Sequence, residues 1–391
     1  MDTFQKLALI KHEMDVEVDD SIPGGPGGKK VSFSGKDCED PSEGLPISMV
    51  CLPNGKRMPV LKSLLTSACE RNCNYCAFRA GRDFRRVTFQ PEELAQAVDR
   101  LTKKKVVDGV FLSSGVAAGG VRTEDRLIAT IEYLRRKLNY QGYVHLKLMP
   151  GVEFSQVERA MQLADRVSVN LEGPNTNRLH ALAPQKVFLE ELLQPLRWVE
   201  QIRRERPGHE GWKGRWPSTT TQFVVGAVGE SDLELLQTLA WLNQNVRLAR
   251  GYFSGFSPTP DTPFEERSAC NPWREHRLYQ ASFLLRDYGF DLEELPFAGE
   301  GNLPIDVDPK MAWARANLSE MPLEINKADR RDLLRIPGVG PVGARAIMDA
   351  RRKNNLRSVE DLKNLGVPIG RAAPFILLDG QRPAVQLRLW N

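Results

Sequence analysis

At 391 residues, with a formal net charge of +4 and 41% hydrophobic side chains, the chain has the length for about two or three domains and a full-sized core. It holds no run of about 18 apolar residues, so no transmembrane helix is expected and no membrane partner. The N-terminal stretch MDTFQKLALIKHEMDVEVDD has the wrong charge order for a secretory signal, and six cysteines without a paired framework fit a reducing compartment, so a cytoplasmic protein is expected.

In chain order, residues 1–56 read as an acidic, partly flexible segment. Residues 1–50 carry five Lys/Arg against ten Asp/Glu, and the stretch SIPGGPGGKKVSFSGKDCEDPSEG, within 20–45, is rich in Gly, Pro and Ser. From about residue 58, short β-branched runs alternate with longer amphipathic segments. The expected strands are 60–66, 109–114, 143–149, 166–172, 220–227 and 251–256; helices are expected near 91–104, 124–138, 154–164, 187–204, 231–245 and 273–288. Pro91 suits a first helical position, and Ser231-x-x-Glu234 spells a capping box. Six such alternations argue for a parallel sheet, open or curled into a barrel, with its chemistry at the C-terminal strand ends. PGHEGWKGRWPS (207–218) breaks the pattern and reads either as an excursion near that rim or as an ordinary surface loop. After about residue 300 the alternation gives way to short helices. Residues 310–391 carry fifteen Lys/Arg against eight Asp/Glu, a basic bias that hints at a polyanionic partner.

The most informative run is TSACERNCNYCAFR, which places Cys69, Cys73 and Cys76 in C-x3-C-x2-C spacing directly after the first parallel strand. Zinc takes four protein ligands in a structural site or three plus water in a catalytic one. A cubane iron–sulfur cluster instead accepts three thiolates and leaves one iron open for a substrate. A partial zinc knuckle and three unrelated buried cysteines are the competing readings. Cys38, Cys51 and Cys270 are too dispersed to promise a second cluster. Period-two alternation in RVSVNLEGP puts Ser168, Asn170 and Glu172 on one face, where buried polar groups need partners: a ligand, or each other. Lys147 shares a strand face with His145 and Met149; it reads as a reach toward a ligand carboxylate or as a surface lysine. Arg79, Arg82, Arg85 and Arg86 read as a grip on an anionic substrate or an electron donor, or as a solvated basic face.

The cysteine loop and the six βα units resemble the radical SAM superfamily. The resemblance implies an α/β fold, a partial (β/α)6 TIM-like barrel over residues 57–300. It also implies that Cys69, Cys73 and Cys76 ligate a [4Fe–4S] cluster whose fourth iron is chelated by S-adenosylmethionine (SAM), with reductive cleavage to a 5′-deoxyadenosyl radical. A reductant such as flavodoxin or ferredoxin follows. Tyr75 takes the aromatic slot before the last cysteine; Ser113, Ser114 and Gly115 stand at the GGE-like position, without its glutamate; Ser168, Asn170 and Glu172 stand at the ribose and carboxylate positions. Val225–Glu230, with Gly226 and Gly229, resembles the GxIxGxxE stretch near the adenine, and GYFSGFSPTPDTPFE resembles the late-strand SPxPxTP segment.

Residues 325–351, INKADRRDLLRIPGVGPVGARAIMDAR, resemble a helix-hairpin-helix with a PGxG turn and a small residue at Ala344. This implies a small all-α nucleic-acid-binding domain over residues 301–391. Gly338 and Gly340 would turn backbone N–H groups toward a phosphate, with Arg335, Arg345, Arg351, Arg352 and Lys353 adding charge. A degenerate second hairpin in LRSVEDLKNLGVPIGRAAPFI reads as packing, and a protein–protein domain remains an alternative. Together with VSVNLEGPN, ALAPQK, REHRLYQASFLLRDYGF and IDVDPKMAWARANL, the chain is similar to the DNA modification/repair radical SAM proteins, often encoded beside a uracil-DNA-glycosylase-like protein. DNA modification or repair is the expected function, with tRNA modification and a non-catalytic iron–sulfur sensor or recruiter as alternatives.

Overall fold

The computed structural model describes residues 1–14, 44–51 and 57–383. Cys38 and the Gly/Pro/Ser-rich stretch expected to be flexible lie outside the described residues. The chain divides into two compact units: Met1–Glu230 with Trp241–Glu275, and Ser231–Ala240 with His276–Asn391. The second unit takes in Ser231–Ala240, whose Leu233 N–H donates to Gly301 O at 2.9 Å.

The first unit holds a seven-stranded sheet in sequential order: β1 (Ile47–Cys51), β2 (Arg57–Leu64), β3 (Gly109–Ser113), β4 (Tyr143–Lys147), β5 (Arg166–Ser168), β6 (Ser218–Val225) and β7 (Arg250–Gly255). β1 pairs antiparallel with β2, and all later neighbours are parallel. The sheet curls: side chains of Lys62 on β2 and Tyr252 on β7 line one interior space although four strands separate them. This half-barrel with covering helices is the α/β arrangement that the alternation predicts.

Local chemistry accounts for the helices. In α2 (Pro91–Lys103), Pro91 occupies the first turn, Gln90 and Glu93 form a reciprocal capping box, and Leu94, Ala97, Val98 and Leu101 recur at helical spacing and are buried. The expected helix at 124–138 starts earlier, as α3 (Gly120–Glu132), and runs into a π-turn at Tyr133–Lys137. α4 (Phe154–Leu163) matches its pattern closely. A short α5 (Thr176–Leu182), capped by Asn175, was not evident from periodicity, nor was β1, which is only five residues long. α6 (Gln194–Glu205) follows a π-turn at Phe188–Leu193. The segment 207–218 forms two 3₁₀ turns that lead into the start of β6, the end opposite the strand C-termini. There Trp212 lies 3.8 Å from the Arg135 guanidinium. The rim placement is therefore corrected: an αβ connection returns to the N-terminal strand ends by topology.

In the second unit, the Ser231–Glu234 capping box is present, with N–H donations in both directions at 2.7 and 3.1 Å. After α7 (Asp232–Asn245) and α8 (Pro272–Asp287) come α9 (Pro309–Asn317), α10 (Arg330–Leu333), α11 (Pro341–Arg351), α12 (Val359–Asn364) and α13 (Ile369–Ala372). A two-stranded parallel pair, Leu323–Glu324 with Ile376–Leu377, closes a small core that includes Leu333, Ile336, Val339, Ala344, Ile347 and Leu362.

On α3, Glu124 is fully buried; its Oε2 accepts from Met149 N–H at 2.9 Å and its Oε1 has no hydrogen-bond partner. Burial, helped by Asp125, pushes its carboxyl up to about 8. The folded state thus favours the protonated acid, a contribution complete below the ordinary carboxyl range and lost as pH rises through about 8. Glu124→Gln is expected to gain stability over wild type, by roughly 5 kcal/mol, between acidic and alkaline buffer. Unfolding free energies of both proteins at pH values below and above that range check it; parallel curves would refute it.

Candidate active site at the strand ends

The loop after β2 is held by backbone bonds before any side chain is considered. Glu70 N–H donates to Val116 O at 2.8 Å and Asn74 N–H to Leu182 O at 2.7 Å, tying the loop to the segment after β3 and to the end of α5. Arg71 donates to Gln185 O at 2.5 Å and pairs with Glu191 at 2.6 Å. Arg86 donates to the carbonyls of Ser67, Phe78, Arg79 and Arg82, and Arg82 to those of Ala77 and Pro260. These two arginines brace the cysteine loop by its carbonyls, in place of gripping a substrate or donor; Arg85 is exposed and Arg79 half-buried.

Cys69, Cys73 and Cys76 line one cavity at the C-terminal strand ends, about 1140 Å³ with its open mouth included. Cys73 is buried and the other two half-buried. Phe78 N–H points at Cys76 Sγ, 3.4 Å away. Among the described residues no three His, Cys, Asp or Glu side chains surround a single point as ligands of one ion would. Three thiolates of a cubane each take a different iron, so the donor set fits a cluster without such convergence. Burial pushes the Cys73 thiol up, while Lys186 opposes that shift.

Tyr75, Ser113, Ser114, Gly115, Asn170 and Glu172 line the same cavity. Gly115 is forced to be glycine: a Cβ there would stand 2.3 Å from Ala68 O and 3.1 Å from Cys69 Cβ. Ser168 lies deeper, its Oγ 2.9 Å from His145 Nε2, outside this cavity and satisfied within the barrel. Gly226 and Gly229 do not line it either. Their φ values of +89° and +72° form a turn in which Glu230 accepts N–H bonds from Gly226 and Val228, and a Cβ on Gly226 would meet Cys270 Sγ at 2.9 Å.

Glu172 is the electrostatic centre. It is buried, takes φ +63°, and lies 2.9 Å from Lys186 Nζ. Burial alone would raise its carboxyl, yet Lys186, Lys147 and a hydrogen bond from Tyr75 hold it below the usual range. Burial pushes the Tyr75 phenol well up, and Cys73 and Glu172 hold the Lys186 ammonium charged against its own desolvation. Lys186, Arg71 and Gln222 are cavity residues that sequence reasoning missed. Gln222 shares the β6 alternation with Thr220, a readable signal; Lys186 has none, because it reaches the site only through the turn after α5.

With this geometry in view, residues 63–242 match the model of the Radical SAM superfamily. That match covers just under half of the chain. The superfamily uses a [4Fe–4S] cluster with SAM and generally needs a reductant. The chain is also similar to solved structures of methylornithine synthase (14% identity, 58% of this chain and 61% of that chain, TM-score 0.46) and of the FeFe-hydrogenase maturase HydG from Carboxydothermus hydrogenoformans (14%, 57% and 51%, 0.45). A third is the radical S-adenosylmethionine methyltransferase TsrM from Kitasatospora setae (14%, 53% and 38%, 0.41). The chain thus spans less than two thirds of the length of these proteins. No curated protein sequence matched. Among the described residues no helix is long and apolar enough to cross a membrane.

Replacing Lys186 with Met leaves Glu172 buried without its nearest counter-charge. A loss of about 3–5 kcal/mol in unfolding free energy is expected, much of it recovered by adding Glu172→Gln. Chemical denaturation of the two variants decides it: additive losses would contradict the pairing.

Proposed function

We propose that this protein is a radical SAM enzyme in which Cys69, Cys73 and Cys76 hold the [4Fe–4S] cluster and the cavity beside them holds SAM. The observation that carries this reading is that all three thiols, Tyr75 and the Glu172–Lys186 pair line one cavity at the strand ends of a radical SAM domain. When bound, the cofactor pair supplies reductive cleavage of SAM. The chain's own groups bind and orient. Phe78 N–H donates to the Cys76 sulfur, Asn170 and the Ser113–Gly115 turn offer polar groups to the ligand, and the Arg71 and Arg86 bonds keep the loop from shifting.

The substrate we propose is DNA, held by phosphate contacts at the hairpin between α10 and α11 of the second unit. What supports this is the turn between α10 and α11, where Gly338 takes φ +87° and Gly340 precedes the helix N-terminus, with Arg345, Arg352 and Lys353 exposed. The α12–α13 turn shares only the positive φ, +78° at Gly366, and lacks the PGxG order, in keeping with a packing role. One cation, Arg335, leaves the expected contact set, and a second, Arg351, is partly engaged by the fold. Arg335 is 3% exposed, paired with Glu294 at 2.7 Å and stacked on Phe290, and Arg351 donates to Ile325 O and Ala328 O. Arg335 serves the fold of the unit, because a guanidinium bound to buried carbonyls and a carboxylate cannot also reach a phosphate, whereas half-buried Arg351 engages those two carbonyls through Nη1 alone. A base within a duplex would have to leave the stack, at a cost of a few kcal/mol, unless already unpaired.

Anaerobically reconstituted protein with SAM and a reductant is expected to release 5′-deoxyadenosine, stimulated by DNA; Cys73→Ala should abolish release and lower iron content. Release by Cys73→Ala would remove the cluster assignment, and stimulation by tRNA in place of DNA would reassign the substrate. Arg352→Ala with Lys353→Ala is expected to weaken DNA binding uniformly across sequences and to reduce the slope of log affinity against log salt by about 1–2. An unchanged slope would point to a protein-docking role.

A further inference from the structure

One wall of the cysteine-lined cavity is the turn that leaves β4, where Leu148, Met149 and Pro150 all line it. Leu148 N–H is still held within the sheet, by Ser168 O at 2.8 Å. Beyond it the chain departs from the strand, Gly151 takes φ +83°, and α3 packs behind the turn. Gly120 on α3 is pressed so close that a Cβ there would overlap Pro150 O. One turn further along the same helix, Glu124 accepts Met149 N–H at 2.9 Å.

A carboxyl is an unusual group to place behind that wall. Glu124 is fully buried, and its second oxygen, Oε1, has no hydrogen-bond partner. Asp125, its neighbour on α3, raises the carboxyl further, and among the described residues no cation draws it down. The other charged groups around it are engaged elsewhere. Asp125 accepts from Gln156 on α4, Glu153 caps α4, and Arg126 donates to Phe89 O. Glu191, 3.6 Å from where a Cβ on Gly151 would stand, pairs with Arg71. The neutral acid is at home here, with one backbone N–H to accept. The carboxylate is not: it sits desolvated beside a second anion, with one donor for two oxygens. Moving the turn away from α3 exposes it to water, so ionisation and opening of this wall are coupled.

We propose that Glu124 is a positioning residue for SAM: as a neutral acid it fixes the Met149–Pro150 wall of the cavity through Met149 N–H, and loss of its proton releases that wall. SAM binding then depends on a proton held behind the cavity, by a side chain that does not line it. This deepens the SAM reading of the cavity, on which it rests, and is independent of the nucleic-acid assignment. Because burial holds the carboxyl up at about 8, the loss falls on the alkaline side: affinity is full at neutral pH and declines as pH rises through about 8.

The experiment is titration calorimetry with SAM on the full-length, cluster-reconstituted protein without reductant, in neutral buffer and at about pH 9. Wild type, Glu124→Gln and Glu124→Ala are compared, and circular dichroism and iron content confirm that each is folded and loaded. Titration of SAM itself is common to all three and cancels in their ratios. Glu124→Gln, uncharged throughout, is expected to match wild type in neutral buffer and to bind up to about tenfold tighter than wild type in the alkaline one. Glu124→Ala, which leaves Met149 N–H without its acceptor, should bind several-fold more weakly than Glu124→Gln in both. Alongside, hydrogen exchange of residues 146–152 is followed by mass spectrometry without SAM, with β6 as internal reference. It should be equal in wild type and Glu124→Gln in neutral buffer and faster in wild type in the alkaline one. A role in stability alone would give the same ratio of wild-type to Glu124→Gln affinity in both buffers, which overturns the proposal, as does equal exchange of 146–152 in the alkaline buffer. Absence of SAM binding by every protein in both buffers refutes the SAM reading instead, and the exchange comparison still decides whether Glu124 holds the wall.

Discussion

The carboxylate of Glu172 and the ammonium of Lys186 lie 2.9 Å apart in a region from which water is largely excluded, and each needs the other to stay charged. Their pairing joins the end of β5 to the turn after α5. That same stretch, through Ala181 O, Leu182 O and Gln185 O, grips the cysteine loop at Asn74 and Arg71. Tyr75 hydrogen-bonds to Glu172, and Lys186 lowers the cost of a thiolate at Cys73. A strained backbone at Glu172, with φ +63° in a residue other than glycine, persists because bonds on both sides fix it: its N–H to Gln222 O at 3.0 Å, its carbonyl to Val224 N–H at 2.8 Å. The pair therefore positions the loop as well as setting its potential.

Curling imposes the second constraint. Parallel strands buried on both faces ordinarily read as continuous apolar runs, and the outward faces here obey, with Val110, Leu112, Val144 and Leu146 fully or nearly fully buried. The inward face is mixed instead: Lys62, His145, Ser168, Thr220 and Gln222 stand beside Phe111 and Tyr252. Such a lumen is costly unless its groups find partners. His145 and Ser168 satisfy each other, and Asn170 donates to Gln222 across 3.3 Å.

In the second unit the same residue types divide by burial. Arg335 and Arg351 look, in a linear reading, like members of one basic array with Arg345, Arg352 and Lys353. In the fold the first two satisfy carbonyls and a carboxylate behind the hairpin, and the last three face solvent. Lys310 reinforces the turn from beneath, its Nζ 2.6 Å from Val339 O, and burial brings its ammonium down to about 7. Gly338 has a packing reason beyond its φ: a Cβ would stand 2.7 Å from Pro368 of the second hairpin.

Short-range chemistry was legible in the sequence alone. Periodicity and caps placed α2 and α4 almost to the residue, the Ser231–Glu234 box formed as spelled, and the six parallel strands followed from alternation. The cysteine spacing pointed to a cluster loop because three thiols within eight residues need no knowledge of the fold. Tertiary structure alone decided which distant groups share the cavity. Lys186 and Arg71 carry no local signal, Ser168 turned downward to His145, Gly226 and Gly229 shaped a turn off the cavity wall, and the 207–218 segment went to the opposite barrel end. The reason is physical. Caps and periodicities are satisfied within a few residues, whereas burial, counter-charge and the wall a side chain faces are set by strands and turns that meet only when the sheet closes on itself.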